Sequence, residues 1–119
     1  MTKNDIINLT EQVCEAWELP VPVIMFRYES IMKDVMAFVL MEGKVVHGID
    51  IVHNVVCFND YLLSCNINFI LDVIYHEIAH LITKATDSDI EFEMFCKLNG
   101  IPLSELQDFN LGIDNRSPA

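Results

Sequence analysis

Val73-Ile74-Tyr75-His76-Glu77-Ile78-Ala79-His80 is the strongest structural signal in the sequence, because it places polar side chains inside an almost wholly apolar helix. The helical pattern runs from Ile70 to about Lys84 and is apolar on nearly every side. Asn66 or Asn68 is a suitable N-cap. The polar residues that interrupt the pattern exclude a bilayer span, so the sequence predicts a helix buried in the core of a domain.

The same helix carries two histidines at the spacing of a metal site. His76 and His80 are four residues apart, so at about 100° per residue their rings return to within about 40° on one helical face. Glu77 is rotated away by about 100°, which directs its carboxylate toward an open coordination position. Because the flanking residues are uncharged, a bound ion would offset the cost of burying all three side chains. The pattern predicts Zn2+ with His76 and His80 as ligands and Glu77 as general base.

A catalytic zinc ion needs a third protein ligand and keeps its fourth position for water. No histidine follows His80, so this ligand is either acidic or lies upstream. Glu91 is the first choice, because it lies one turn into the next helix and an antiparallel helix pair would return it to the histidines. Asp87 and Asp89 are the alternatives. Glu91 could instead complete a capping box with Ser88.

The chemistry that such a site predicts is peptide hydrolysis. Glu77 takes a proton from a metal-bound water, the resulting hydroxide attacks a carbonyl carbon, and Glu77 passes the proton to the leaving amine. A further donor would stabilise the developing oxyanion. Tyr61, Tyr75 and His53 are candidates for that role, and the sequence does not choose among them. His47 and His53 lie in the predicted hairpin region, where either is an alternative contact to metal or substrate.

The rest of the chain predicts a single α+β domain over residues 1–119, with a small, mainly antiparallel sheet. Its strands are short runs of β-branched and aromatic residues at 23–28, 35–41, 45–46, 49–52 and 55–58. Residues 42–44 supply the turn of an antiparallel hairpin that returns through 45–46. Helices are expected at 4–18, from a cap at 88 to 100, and at 103–109, with a frayed tail from about 112.

The charge of the chain favours some partners and disfavours others. Eighteen acidic residues against seven basic ones give a formal net charge of −11. Binding to nucleic acid or to an anionic membrane is therefore disfavoured, and a basic protein or peptide is the favoured partner. The same acidity suits an alternative to an enzyme, namely a non-catalytic acidic binding or inhibitor protein on the same fold.

The cysteines and the N-terminus indicate a cytoplasmic protein. The four cysteines are widely spaced, with no CxxC pair, and lie among apolar neighbours as buried free thiols do. The first residues lack the basic and apolar regions of a secretory signal. These features predict a reducing compartment. They do not predict the oligomeric state.

Several of these segments resemble a known group of small zinc metallopeptidases. Leu19-Pro20-Val21-Pro22, the extended piece that ends Cys57-Phe58-Asn59, and the helix 73–80 together look like the SprT-like and ImmA/IrrE-like zincins. The resemblance covers residues 19 to 102 and is specific at the HExxH helix. It implies a zincin-like fold and a cytoplasmic metallopeptidase with a narrow protein substrate.

The two families differ at the third ligand. SprT-like proteins usually place a histidine four residues before a phenylalanine of the following helix, and with Phe92 as that phenylalanine the position is Ser88. ImmA/IrrE-like peptidases use a glutamate four residues before a phenylalanine that is followed seven residues later by a proline. Glu91, Phe95 and Pro102 match that pattern, so this resemblance implies Glu91 as the third ligand.

Overall fold

The computed structural model describes residues 1–27, 35–43, 45–46, 49–50, 53–86 and 89–103. Within them, the chain forms three α-helices, a three-stranded sheet and a separate two-stranded pair, which confirms the α+β class. The elements in chain order are α1 (Lys3–Ala16), β1 (Val23–Arg27), β2 (Ala37–Leu40), β3 (Val45–Val46), β4 (Ile49–Asp50), β5 (Val55–Asn59), a 3-10 helix (Asp60–Ser64), α2 (Ile67–Thr83) and α3 (Ile90–Asn99).

The three-stranded sheet is mixed, and two of the three described strand pairings are antiparallel. β5 is its central strand and pairs parallel with β1 and antiparallel with β2. Four of the five β5 residues are buried, as expected for a central strand that is covered on both faces. The parallel pair was not predicted, because short apolar runs specify strands but not their partners. Parallel pairing of β1 with β5 depends on the long connection between them.

The described antiparallel hairpin is formed by β3 and β4, whereas the prediction paired residues 35–41 with 45–46. Gly43 has a φ of +78°, so the expected turn is present. However, β2 pairs with β5, while β3 pairs antiparallel with β4 and aligns Val46 with Ile49. Residue 44 of the predicted turn and residues 51–52 of the predicted strand 49–52 lie outside the described part of the chain.

α2 is the buried central helix that the sequence predicts. Asn66, rather than Asn68, is its N-cap, and the Asn66 side chain accepts a hydrogen bond from the Phe69 N–H at 3.0 Å. Ile70, Ile74 and Ile78 recur every four residues and are almost fully buried in the main core. No helix of the described segments, α2 included, has the length and hydrophobicity that crossing a membrane requires.

α2 ends at a left-handed residue that is not a glycine. Lys84 has a φ of +54°, and its N–H donates to the His80 carbonyl at 2.8 Å. A residue with a Cβ adopts this conformation at a cost of roughly 1–2 kcal/mol. The helix therefore ends one turn after the second histidine.

Lys84→Gly is expected to raise the free energy of unfolding by about 0.5–1 kcal/mol, because glycine adopts the left-handed conformation without a steric clash. Lys84→Ala is the matched control, since it shortens the side chain but keeps the Cβ, and its stability should stay within about 0.5 kcal/mol of the native chain. Urea denaturation measures both. Equal stability of the two variants would show that the Lys84 backbone is unstrained.

α3 begins at Ile90, and its N-cap is Asp89 rather than Ser88. The Asp89 carboxylate accepts hydrogen bonds from the Thr86 N–H at 2.8 Å and the Thr86 hydroxyl at 3.1 Å, so it closes the preceding turn. Gly100 ends the helix in a left-handed conformation, as predicted. Outside the described residues lie residue 88, residues 104–109 of the predicted helix 103–109, and the tail from 112.

Candidate metal centre

His76 and His80 lie on the same face of α2 and are directed toward α3. Their ring centres are 5.0 Å apart, and the ring planes are at 80° to each other. His76 is 0% exposed and His80 is 6% exposed. The predicted shared helical face is therefore confirmed, and it lies inside the protein.

The end of α2 fixes the orientation of the His80 ring. Its Nδ1 lies 2.8 Å from the carbonyl oxygen of Ala85. Because a carbonyl only accepts hydrogen bonds, Nδ1 carries the proton and the neutral ring has its lone pair on Nε2. Ala85 directly follows the left-handed Lys84, so the reversal that ends α2 also supplies the partner of its last histidine.

The end of α3 fixes the His76 ring in the same way. Its Nδ1 lies 2.5 Å from the carbonyl oxygen of Pro102. The chain reaches this position through Gly100, whose φ is +67°, and through the Ile101 N–H, which donates to the Cys96 carbonyl at 2.9 Å. Each histidine is thus oriented by a backbone carbonyl that follows a left-handed helix end.

The two imidazoles fit the requirements of one shared zinc ion. Histidines that bind a metal usually donate their other ring N–H to a carbonyl or carboxylate, and both rings do so here. Two nitrogens bound at about 2.0–2.1 Å to a tetrahedral zinc ion place the ring centres about 5 Å apart. The observed separation is 5.0 Å. Nε2 of His76 and Nε2 of His80 are therefore the atoms that would hold the ion.

Glu77 is the buried acid beside this pair. It follows His76 on α2 and is 1% exposed, and no other Asp or Glu side chain is buried among the residues whose exposure the structure describes. A carboxylate in an apolar interior is stable only with cations or hydrogen-bond donors close to it. Its burial next to the histidines therefore supports a role at the same site.

Phe92 covers both imidazoles. Its ring, on α3, stacks on the His80 ring at 4.0 Å with 4° between the planes, and it meets the His76 ring nearly at right angles at 5.1 Å. Phe95, the other phenylalanine of α3, instead packs against Trp17 with ring centres 5.5 Å apart. Sequence reasoning used Phe92 only as a spacing marker. Its spacing from Cys96, which shares its buried face, is the signal that could have placed it here.

The third ligand is not brought to the histidine pair by the residues that the structure describes. Glu91 is exposed in the first turn of α3. Asp89 is bound to Thr86, and Asp87 lies outside the described part. Across 1–27, 35–43, 45–46, 49–50, 53–86 and 89–103, no group of three His, Cys, Asp or Glu side chains is arranged to hold a metal ion. The identity of the third ligand stays a prediction.

The three candidate oxyanion donors lie in different surroundings. Tyr75 is half-buried and lines a cleft that Pro102 also lines. Tyr61 is 4% exposed and belongs to the main apolar core. His53 is exposed and lines a separate cleft beside the sheet. His47 lies outside the described residues. The structure does not gather these side chains into one group.

Comparisons with known proteins add no identification. No protein-family model, no curated protein and no solved structure matches this chain. The likeness to SprT-like and ImmA/IrrE-like zincins is therefore carried by the motif residues alone, and the function is argued from the geometry of the site.

Proposed function

We propose that this chain is a zinc-dependent metallopeptidase of the HExxH type that hydrolyses a peptide bond in a specific protein substrate. The observation that carries the proposal is the pair of hydrogen bonds from His76 to Pro102 and from His80 to Ala85. A histidine buried only for packing needs a partner on either ring nitrogen. Here Nδ1 is the engaged nitrogen on both neighbouring rings, which is the arrangement expected of two histidines that bind one ion through Nε2.

Each residue of the motif has a defined task in this proposal. His76 and His80 hold the ion through Nε2, with Pro102 and Ala85 fixing their tautomers. When bound, zinc supplies Lewis acidity to the substrate carbonyl and to a water molecule. Glu77 accepts the proton of the attacking water on its carboxylate and donates it to the nitrogen of the leaving amine.

The charge of the chain narrows the substrate class. A net charge of −11 attracts a basic protein and repels nucleic acid and anionic membranes. Such a long-range attraction raises the rate of encounter rather than choosing the cleaved bond. The proposed substrate is therefore a basic protein or peptide, and the charge does not define which of its bonds is cleaved.

A second candidate is a non-catalytic binding or inhibitor protein on the same fold, and Phe92 is the observation that favours it. Its ring covers both imidazoles, and the HExxH side chains are at most 6% exposed. A catalytic zinc ion needs an open position, whereas a structural ion is enclosed by its ligands. In this second candidate Glu77 takes part in no reaction, and the acidic surface binds the partner protein.

His80→Ala tests the metal centre that the enzyme proposal requires. We expect the native chain to bind one zinc ion, and His80→Ala to bind it at least about a hundredfold more weakly, since losing even an outer partner of a ligand costs about 10–100-fold. His53→Ala is the comparison variant, because His53 is exposed and lines a separate cleft, and an unchanged zinc affinity would remove it as an alternative metal contact. Competition with a chromogenic zinc chelator gives the affinities. A native chain that binds no zinc at submicromolar concentration would remove the proposal.

Glu91→Gln tests the third ligand that the family resemblance implies. From its exposed position on α3 we expect the zinc affinity to stay within about twofold of the native value, since surface substitutions away from a site have small effects. Asp89→Asn, measured in parallel, should lower stability through loss of its charged contacts with Thr86 rather than change the zinc affinity. A loss of tenfold or more in Glu91→Gln would make Glu91 a ligand and require the first turn of α3 to move on metal binding.

A further inference from the structure

α3 has a second apolar face, which points away from the histidines. Ile90, Met94 and Leu98 recur every four residues and form a continuous stripe along the helix. They are 65%, 56% and 83% exposed, respectively. Phe92, on the opposite side of the helix, is 0% exposed. A single helix therefore covers the candidate metal centre with one apolar face and presents the other to solvent.

A cleft at the end of α1 is also bordered by the end of α3, at Asn99 and Gly100. Phe95 of α3 packs against Trp17, which is 37% exposed. Trp17 and Tyr75 line a cleft of about 360 Å³, and Asp72 is the charged residue among its described lining residues. Aromatic rings beside a carboxylate favour a guanidinium or ammonium group, through cation–π contact and ion pairing together.

We propose that the stripe and the cleft together form a docking surface for a basic amphipathic segment of a partner protein. The apolar side chains of that segment cover Ile90, Met94 and Leu98, and one arginine or lysine enters the cleft beside Asp72. The cleft shares Tyr75 and Pro102 with the surroundings of His76, but docking on this surface requires neither zinc nor peptidase activity.

Charge complementarity selects this partner. The chain carries a net charge of −11, and the exposed carboxylates of Glu91 and Glu93 flank the stripe on its two sides. Glu93 is paired with Lys97 at 2.8 Å, whereas no basic residue of α3 is positioned one turn from Glu91. A second copy of the chain would bring acidic surfaces together at this face, which costs free energy. A segment with basic residues beside apolar ones fits both the exposed apolar stripe and the carboxylates that flank it.

Trp17 fluorescence allows a direct test, because Trp17 is the single tryptophan of the chain and lines the proposed docking surface. The probe is a leucine–lysine peptide with leucines at i, i+3, i+4 and i+7. We expect it to shift the emission of Trp17 in a saturable way. We expect Leu98→Glu to weaken binding by about tenfold or more and Asp72→Asn by about threefold or more, because an apolar contact and an ion pair are lost.

The controls separate docking from general attraction between opposite charges. Leu98→Glu adds a negative charge, so weaker binding of a cationic peptide reports lost apolar contact. Val21→Glu adds the same charge at another exposed apolar position, and Glu11→Gln removes one elsewhere, and both should bind like the native chain. A lysine–serine peptide of equal charge should bind far more weakly than the leucine–lysine peptide.

Three outcomes would overturn the proposal. The first is no saturable binding of the leucine–lysine peptide, and the second is equal loss of binding in Leu98→Glu and Val21→Glu. The third is a native dimer, seen by light scattering, that Leu98→Glu converts to a monomer, because a second copy would then occupy the stripe. Leu98 is 83% exposed, so its replacement should leave the fold intact, and a thermal melt verifies this.

Discussion

Glu77→Gln is expected to abolish peptide hydrolysis while leaving zinc bound. Glutamine has nearly the shape of glutamate but cannot accept a proton from the attacking water. Glu77 is the buried acid of the site, at 1% exposure, so no other acidic side chain among the buried described residues replaces it. Loss of a general acid–base group lowers the rate by about 10²–10⁴-fold.

The measurement compares native chain, Glu77→Gln and Glu11→Gln. Each protein is incubated with zinc and with a peptide library from a digested proteome, and new termini are counted by mass spectrometry. Glu11 is exposed on α1, so Glu11→Gln makes the same chemical change away from the site and should cleave like the native chain. Equal zinc content in all three would tie the loss to proton transfer. A Glu77→Gln protein with full biological effect would instead establish the binding-protein candidate.

The central helix and its histidine face could be predicted from the sequence because both depend on local periodicity. Four-residue spacing places His76 and His80 on one face wherever the helix forms. Asn66 is a strong N-cap for the same reason, since its side chain reaches a backbone N–H three residues on. These features require no knowledge of the rest of the chain.

The carbonyl partners of the histidines could not be predicted in the same way. Ala85 and Pro102 act through their backbones, and their side chains give no sign of this role. Their positions depend on left-handed residues at two helix ends, and one of these, Lys84, is a residue that rarely adopts that conformation. The pairing of β1 with β5 is equally hidden, because it joins segments far apart in sequence.

The family spacing and the structure select different phenylalanines of α3. The ImmA/IrrE-like spacing selects Phe95, whereas the structure places Phe92 on the histidines and Phe95 on Trp17. Rotation of α3 about its axis decides which of them is buried, and that rotation is set by packing against Ala79 of α2. Glu91 therefore needs the independent test described above.

Phe92→Ala is expected to lower the free energy of unfolding by about 3–5 kcal/mol. Phe92 is 0% exposed and packs in a small cluster with Ala79, Ala85 and Cys96, so its removal leaves a cavity between α2 and α3. It also removes the ring that stacks on His80 at 4.0 Å. A loss of this size is a large part of the roughly 5–15 kcal/mol that stabilises an ordinary domain.

Phe92→Leu is the matched variant, because it keeps most of the apolar volume but loses the flat ring. We expect it to lose less than half as much stability as Phe92→Ala, since the residual cavity is smaller. Urea denaturation with and without zinc measures both effects, and zinc should stabilise any variant whose histidine pair is intact. Because Phe92 limits access to the imidazoles, a Phe92→Leu protein that binds zinc and cleaves faster than the native chain would identify the ring as a cover over a catalytic centre. A stability loss in Phe92→Ala below about 1 kcal/mol would contradict the packing of α3 on the histidines.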